Sequence, residues 1–219
     1  MKKEIFKNRL FGRIKGRAKN RIDIEKYKLS LDKFKFTGIN KSKHYILDIG
    51  TGYGETTIYL AKKFPKQKVL ACEKYINGNL NLINKIKDEN IKNIEIYPGN
   101  VYDIFDGLNY GNYFSSVWIF FPDPWPKKKH FKRRLITSEF LDNLYKFLKP
   151  NSQVIIATDS SSYIKFILNS VYKSKKKYSW MNQNSFYLDI KDYYNIETKF
   201  YKKAIICGRN PALFTLKKI

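Results

Sequence analysis

The sequence predicts an α/β domain: a Rossmann-like, mainly parallel seven-stranded sheet with helices on both faces and an antiparallel C-terminal strand pair. Three observations carry this. From Tyr45 onward, short β-branched and aromatic runs alternate with amphipathic segments of helical length, as in parallel strands joined by crossover helices. The first of these runs ends in a glycine-rich turn that leads into a helix. The rhythm then breaks, and Trp180–Met181 and Ala212–Lys217 read as strands joined by a polar, tyrosine-rich stretch.

The elements follow in order. A helix is expected over Ile24–Phe34. Strands are expected at Tyr45–Asp48, Lys68–Cys72, Ile94–Tyr97, Val117–Phe121 and Gln153–Thr158. Between them, helices fall at Glu55–Lys63, Ile76–Asp88, Leu135–Leu148 and Tyr163–Tyr172, with a short turn near Tyr102–Phe105. Residues 1–22 form a basic arm and 23–219 a single domain. A chain of 219 residues is long enough to bury about 70% of its unfolded surface without staples.

Cysteine usage points to a reducing compartment. Cys72 and Cys207 form no metal-ligand spacing and sit beside apolar residues, so both are expected to be buried free thiols. Only His44 and His130 could join them, so no metal is expected. The N-terminus lacks the apolar core of a signal peptide, and no run reaches membrane-spanning length. The expectation is a cytoplasmic protein, a monomer or a homodimer.

The formal charge is +24, but lysine abundance alone is weak evidence for a polyanionic partner. Arginine placement is stronger evidence, because arginine binds phosphate with a bidentate fork. Of seven arginines, Arg9, Arg13, Arg17 and Arg21 recur every fourth residue in the arm. Two readings stand: an arm that orders on a phosphate backbone, or a solvated tail.

Strand one ends in Asp48-Ile-Gly-Thr-Gly-Tyr-Gly-Glu. Gly50, Gly52 and Gly54 allow a sharp turn and close approach to a ligand. A dinucleotide fingerprint would need glycine at position 55, where Glu55 would repel a pyrophosphate. S-adenosylmethionine has no phosphate and suits the motif better. Asp48 could then pair with its ammonium group. Glu73, ending strand two, could take the ribose hydroxyls, and Asn100, after strand three, the adenine edge.

The most specific segment is FPDPWPKKKHFKRRL, Phe121–Leu135. Three prolines stop the strand and hold Asp123 and Trp125 on a stiff turn at its C-terminal end. Lys127, Lys128, Lys129, Lys132, Arg133 and Arg134 then lead toward the next helix, where their charge would oppose the helix dipole. This reads as a polyanion-binding lip beside a reactive pocket.

With these motifs in view, the chain resembles the bacterial tRNA (guanine-N7)-methyltransferases, the TrmB family, over nearly its whole length. The segments that carry the likeness are RLFGRIKGR, LDIGTGYGETTIYLAKKFP, ACEKY, FPDPWPKKKHFKRRL, ATDSSSY and ETKFY. The resemblance implies the class I S-adenosylmethionine-dependent methyltransferase fold and transfer of a methyl group to N7 of a variable-loop guanine. It puts Asp48, Glu73, Asn100 and Asp123 at cofactor-contacting positions, with Asp123 also catalytic. Lys127, Asp159, Thr198, Lys199, Phe200 and Tyr201 stand where the family contacts its RNA substrate. Three positions depart from the pattern: Asp48 for Glu, Asn100 for Asp, and Tyr201 for the Glu that ends the TKFE motif.

Guanine N7 carries a free lone pair, so the expected work is orientation and charge stabilisation rather than proton removal. Asp123 is expected to orient guanine and offset its developing charge. Asp159 is expected to accept from the N1/N2 edge, to cap the following helix, or both. Trp125 either stacks on a base or packs internally. The lip and the Arg9, Arg13 and Arg17 arm would bind backbone phosphates. Two rivals remain: a methyltransferase for another base or a protein, and a non-catalytic RNA-binding protein.

Overall fold

The computed structural model describes Ile14, residues 24–182 and residues 190–219. Seven strands form one sheet: β1 (Tyr45–Ile49), β2 (Lys68–Cys72), β3 (Ile94–Tyr97), β4 (Phe114–Phe120), β5 (Leu148–Thr158), β6 (Tyr178–Trp180) and β7 (Ala212–Lys218). Their order is β3-β2-β1-β4-β5-β7-β6. The first five are parallel, and β7 runs antiparallel to both β5 and β6. The order reverses between β1 and β4, so a crevice opens at their C-terminal ends.

Strand β1 lies at that switch and is buried at all five positions, which is why it reads as an unbroken apolar run around Asp48. One face of the sheet carries α1 (Ile24–Asp32), α2 (Glu55–Lys63) and α3 (Ile76–Asp88), whose Tyr27, Leu60, Leu82 and Ile86 join one apolar cluster. The other face carries α4 (Val101–Gly107), α5 (Ser138–Tyr145) and α6 (Ser161–Lys173). There the Phe105 and Phe147 rings stack at 4.8 Å, and the buried Tyr163 hydroxyl accepts the Ile136 N–H at 3.0 Å. Among the described residues, two short helices, α7 (Ile190–Tyr194) and α8 (Lys199–Ile206), lie between β6 and β7.

Several boundaries differ from expectation, each for a local reason. The helix expected over Leu135–Leu148 is shorter, because Thr137 caps α5 by accepting the Phe140 N–H at 3.0 Å. The cations before it occupy a separate 3-10 turn, Lys128–Arg133, so they do not stand on the N-terminus of α5, where Glu139 suits the dipole instead. The turn near Tyr102 is a full helix, α4, built on a capping box between Asn100 and Asp103. The tail forms the expected antiparallel pair, β6 with β7, but the stretch joining them is partly helical, carrying α7 and α8. Cys72 is buried as expected, but Cys207 is exposed, because it caps the C-terminus of the half-exposed α8.

Candidate active site

The C-terminal ends of β1, β2 and β4 open on a cleft of 970 Å³. Its floor is the glycine loop. Gly50 and Gly52 have φ of 75° and 56°, in the left-handed region, and a Cβ at Gly50 would meet nothing within 4 Å. The loop is open at Gly50, while at Gly52 a Cβ would come within 3.8 Å of the Phe200 ring. Beside it, the hydroxyl of Thr51 is buried and has no hydrogen-bond partner.

Glu73 stands where β2 ends, at the cleft wall. Its carboxylate accepts the Gly52 N–H at 3.0 Å and the Tyr75 N–H at 2.8 Å, which fixes the loop against the start of α3. Burial raises its pKa, and these backbone donors pull it back. Lys74 also lines the cleft. Desolvation lowers its pKa, while the charges of Asp123 and Glu73 act to raise it.

Asp48 is not on the cleft wall. It is 1% exposed, and its carboxylate accepts the Thr57 hydroxyl of α2 at 2.6 Å. Desolvation raises its pKa to about 7. The expected direct ion pair with a bound ammonium is therefore corrected: every residue of β1 is buried, and Asp48 points into that packing beneath the loop. Asn100 sits beside Gly99 of the cleft and caps α4, its Oδ1 accepting the Tyr102 N–H at 3.1 Å.

Asp123 is exposed at the mouth of the cleft, on the proline turn that follows β4. The turn is held in an uncommon conformation. Phe121 and Trp125 have φ of 51° and 42°, a region that costs bulky residues about 1–3 kcal/mol each. The Trp125 ring meets His130 edge-on at 5.7 Å and carries the Arg133 guanidinium at 4.9 Å over its face. Trp125 and Arg133 both line the cleft.

The expected lip divides. Lys127, Lys128, Lys129 and Lys132 are exposed. Arg134 is a correction: it is 3% exposed, and its guanidinium donates to the carbonyl oxygens of Pro124 and Ser162 at 2.9 and 3.0 Å. It faces inward because the rings of Phe131, Tyr163 and Phe166 form its slot. Arg9, Arg13, Arg17 and Arg21 lie outside the described residues. Ile14 of the arm is described, and its carbonyl accepts the Ile76 N–H of α3 at 3.0 Å, next to the cleft.

The TKFY stretch also divides, because it is helical. Lys199 and Phe200 line the cleft, with Lys199 Nζ 4.4 Å from the centre of the Tyr53 ring. Thr198 is instead the N-cap of α8, accepting the Tyr201 N–H at 3.0 Å, and Tyr201 is 6% exposed inside the core. The helical turn points these two away from the cleft. Asp159 follows β5 but does not cap α6, whose N-cap is Ser160. It pairs with Arg209, Nε to Oδ2, at 2.6 Å.

Sequence reasoning missed Lys74, Lys203 and Arg209. Lys203 follows Lys199 by one helical turn, a signal readable only once the tail is taken as a helix. Among the described residues, no His, Cys, Asp or Glu cluster could hold a metal ion, and no helix is long and apolar enough to cross a membrane.

A glycine loop after β1, an acid after β2 and a reversed seventh strand define a class I S-adenosylmethionine-dependent methyltransferase. The solved 16S rRNA methyltransferase KamB shares the fold, with a TM-score of 0.56 at 13% identity over 96% of this chain and 99% of that one. The family model described as "Putative methyltransferase" matches residues 42–212. A relative from Jannaschia sp. (strain CCS1) is 32% identical over 174 residues, 78% of this chain and 71% of its own length. Another, from Buchnera aphidicola subsp. Schizaphis graminum, is 35% identical over 223 aligned positions, 97% and 92% of the two chains. Both are named tRNA (guanine-N(7)-)-methyltransferase. The chain belongs to that family.

Proposed function

We propose that this chain transfers the methyl group of S-adenosylmethionine to N7 of a guanine in the variable loop of tRNA. One observation carries the reading: the open glycine loop, Glu73 and Asp123 converge on a single cleft whose rim holds Arg133 and Lys199. The family assignment supports the same chemistry.

The cleft residues fit the cofactor. Gly50 leaves room for close approach, and Glu73 retains lone pairs for ribose hydroxyls. Asn100 keeps its amide N–H groups for a base edge while Oδ1 serves as the cap. S-adenosylmethionine supplies a methyl group on a positively charged sulfur.

The rest is positioning by this chain. Guanine N7 attacks with an in-plane lone pair, so no base need remove a proton first. The purine gains positive charge as it accepts the methyl group. Asp123, at the cleft mouth, offsets that charge and holds the base in line, worth about 10²- to 10³-fold in rate if it matches other preorganised electrostatic groups. Phe200 offers a flat face to a base drawn from its stack, and Trp125 the face opposite the one that carries Arg133. Lys127, Lys128, Lys129 and Lys132 present charge to the backbone beside it.

The experiment is incubation of unmodified tRNA transcript with methyl-labelled S-adenosylmethionine, followed by nucleoside mass spectrometry and mapping. Labelled 7-methylguanosine in the variable loop is the expected product. Label on another nucleoside or on protein, or none at all, would overturn the proposal.

A further inference from the structure

Arg134 is a full charge placed among neutral oxygens. Nε donates to the Pro124 carbonyl at 2.9 Å and Nη1 to the Ser162 carbonyl at 3.0 Å. Nη2 donates to the Ser162 hydroxyl at 2.9 Å and reaches the Trp125 carbonyl at 3.5 Å. Three aromatic rings surround it, with centres 3.7, 5.0 and 5.1 Å from the guanidinium carbon. Desolvation accordingly depresses its pKa. Taking a cation out of water for neutral acceptors is a poor way to gain stability. It is a good way to fix geometry, because the planar fork reaches several oxygens in set directions.

Those oxygens belong to two separate segments. Pro124 and Trp125 follow Asp123 on the turn after β4. Ser162 lies in the first turn of α6, three residues beyond Asp159, which follows β5. We propose that Arg134 is a positioning residue that ties the Asp123 turn, on the cleft wall, to the start of α6 and so fixes the spacing of Asp123 and Asp159 at the ends of two neighbouring strands. This rests on the role given above to Asp123. It also accounts for the turn, in which Phe121 and Trp125 hold left-handed φ values that need an outside restraint. Lysine cannot replace the tie, since one ammonium cannot bridge both segments with the same directions.

The test compares Arg134→Lys, Ser162→Ala, Phe166→Leu and Asp123→Asn in full-length enzyme with tRNA. Measured are kcat, KM for tRNA, S-adenosylhomocysteine affinity by calorimetry and Tm. Arg134→Lys is expected to lower kcat about tenfold or more, as for a small misplacement of reacting groups, with cofactor affinity unmoved. Ser162→Ala, which removes one of the four contacts, should lower kcat less and keeps the question open to test if Arg134→Lys folds poorly. Phe166→Leu strips a ring from the slot but no hydrogen bond, so it should lower Tm and spare kcat.

Wild-type kcat in both Arg134→Lys and Ser162→Ala would overturn the proposal. So would a kcat loss in Phe166→Leu equal to theirs at matched Tm, which would make Arg134 a packing residue only. A loss in Asp123→Asn with none in Arg134→Lys overturns this proposal alone, whereas unchanged kcat in Asp123→Asn overturns the Asp123 assignment and this proposal with it.

Discussion

Arg209 donates from Nε to the Asp159 carboxylate at 2.6 Å, across fifty residues of sequence, from the loop before β7 to the end of β5. The pair is partly exposed, so it adds little to stability. Its effect is on where the Asp159 oxygens point. Arg209→Gln should raise KM for tRNA a few-fold while Tm stays at the wild-type value. Steady-state kinetics on transcript tRNA together with a thermal melt check this.

Asp123 is the most direct test of the site. Asp123→Asn keeps the shape of the turn and removes the charge. Turnover should fall about 10²-fold, the scale of removing one preorganised electrostatic group, with S-adenosylhomocysteine still binding. Single-turnover rates and calorimetry separate the two quantities. Unchanged turnover would end its catalytic assignment.

Asp48 makes folding stability depend on pH. Its folded pKa is raised by burial to about 7, against the ordinary 3.8 in the unfolded chain. The unfolded state therefore loses its proton first, so this group's stabilising contribution is complete below pH 3.8 and declines as pH rises to about 7. Asp48→Asn should remove that decline. Relative to wild type, the variant should gain stability between pH 5 and pH 8, by a few kcal/mol at most for a shift of this size. Urea melts across that range measure it.

Salt should separate surface cations from the buried one. Replacing Lys128 and Lys129 by alanine should reduce the slope of log K for tRNA against log salt by about two, roughly one per phosphate contact. Arg134→Lys should leave the slope unchanged, because its guanidinium faces Pro124 and Ser162 rather than solvent. Filter binding over a salt series reads both.

Much of this fold was legible because local pattern and tertiary role agree. The limits of β2, β3, α2 and α3 follow from apolar period and from the glycine turn alone. The glycine loop, Glu73 and Asp123 share one cleft, as expected for groups at neighbouring strand ends. What failed depended on contacts distant in sequence. Nothing near Arg134 in the chain distinguishes it from Arg133, yet Ser162 and Phe166 draw one inside while the other turns to the cleft. Asp48 looked like a ligand group because it precedes the glycines. Thr57, nine residues on, claims it instead. In the tail, aromatic and β-branched residues hid the α8 helix, whose Thr198 cap is the signal that identifies it.

Helix α3 meets the glycine loop at two points and the end of β2 at a third. A methyl group added at Gly78 would stand 2.2 Å from the Gly52 carbonyl oxygen. The Asn79 amide donates to the Glu73 carbonyl at 2.9 Å, and Lys85 Nζ to the Tyr53 carbonyl, also at 2.9 Å. Loop and helix are thus one mechanical body, and neither can shift without dragging the other. Occupancy of the crevice should consequently register as slowed amide exchange down the length of that helix, far from any atom the ligand touches.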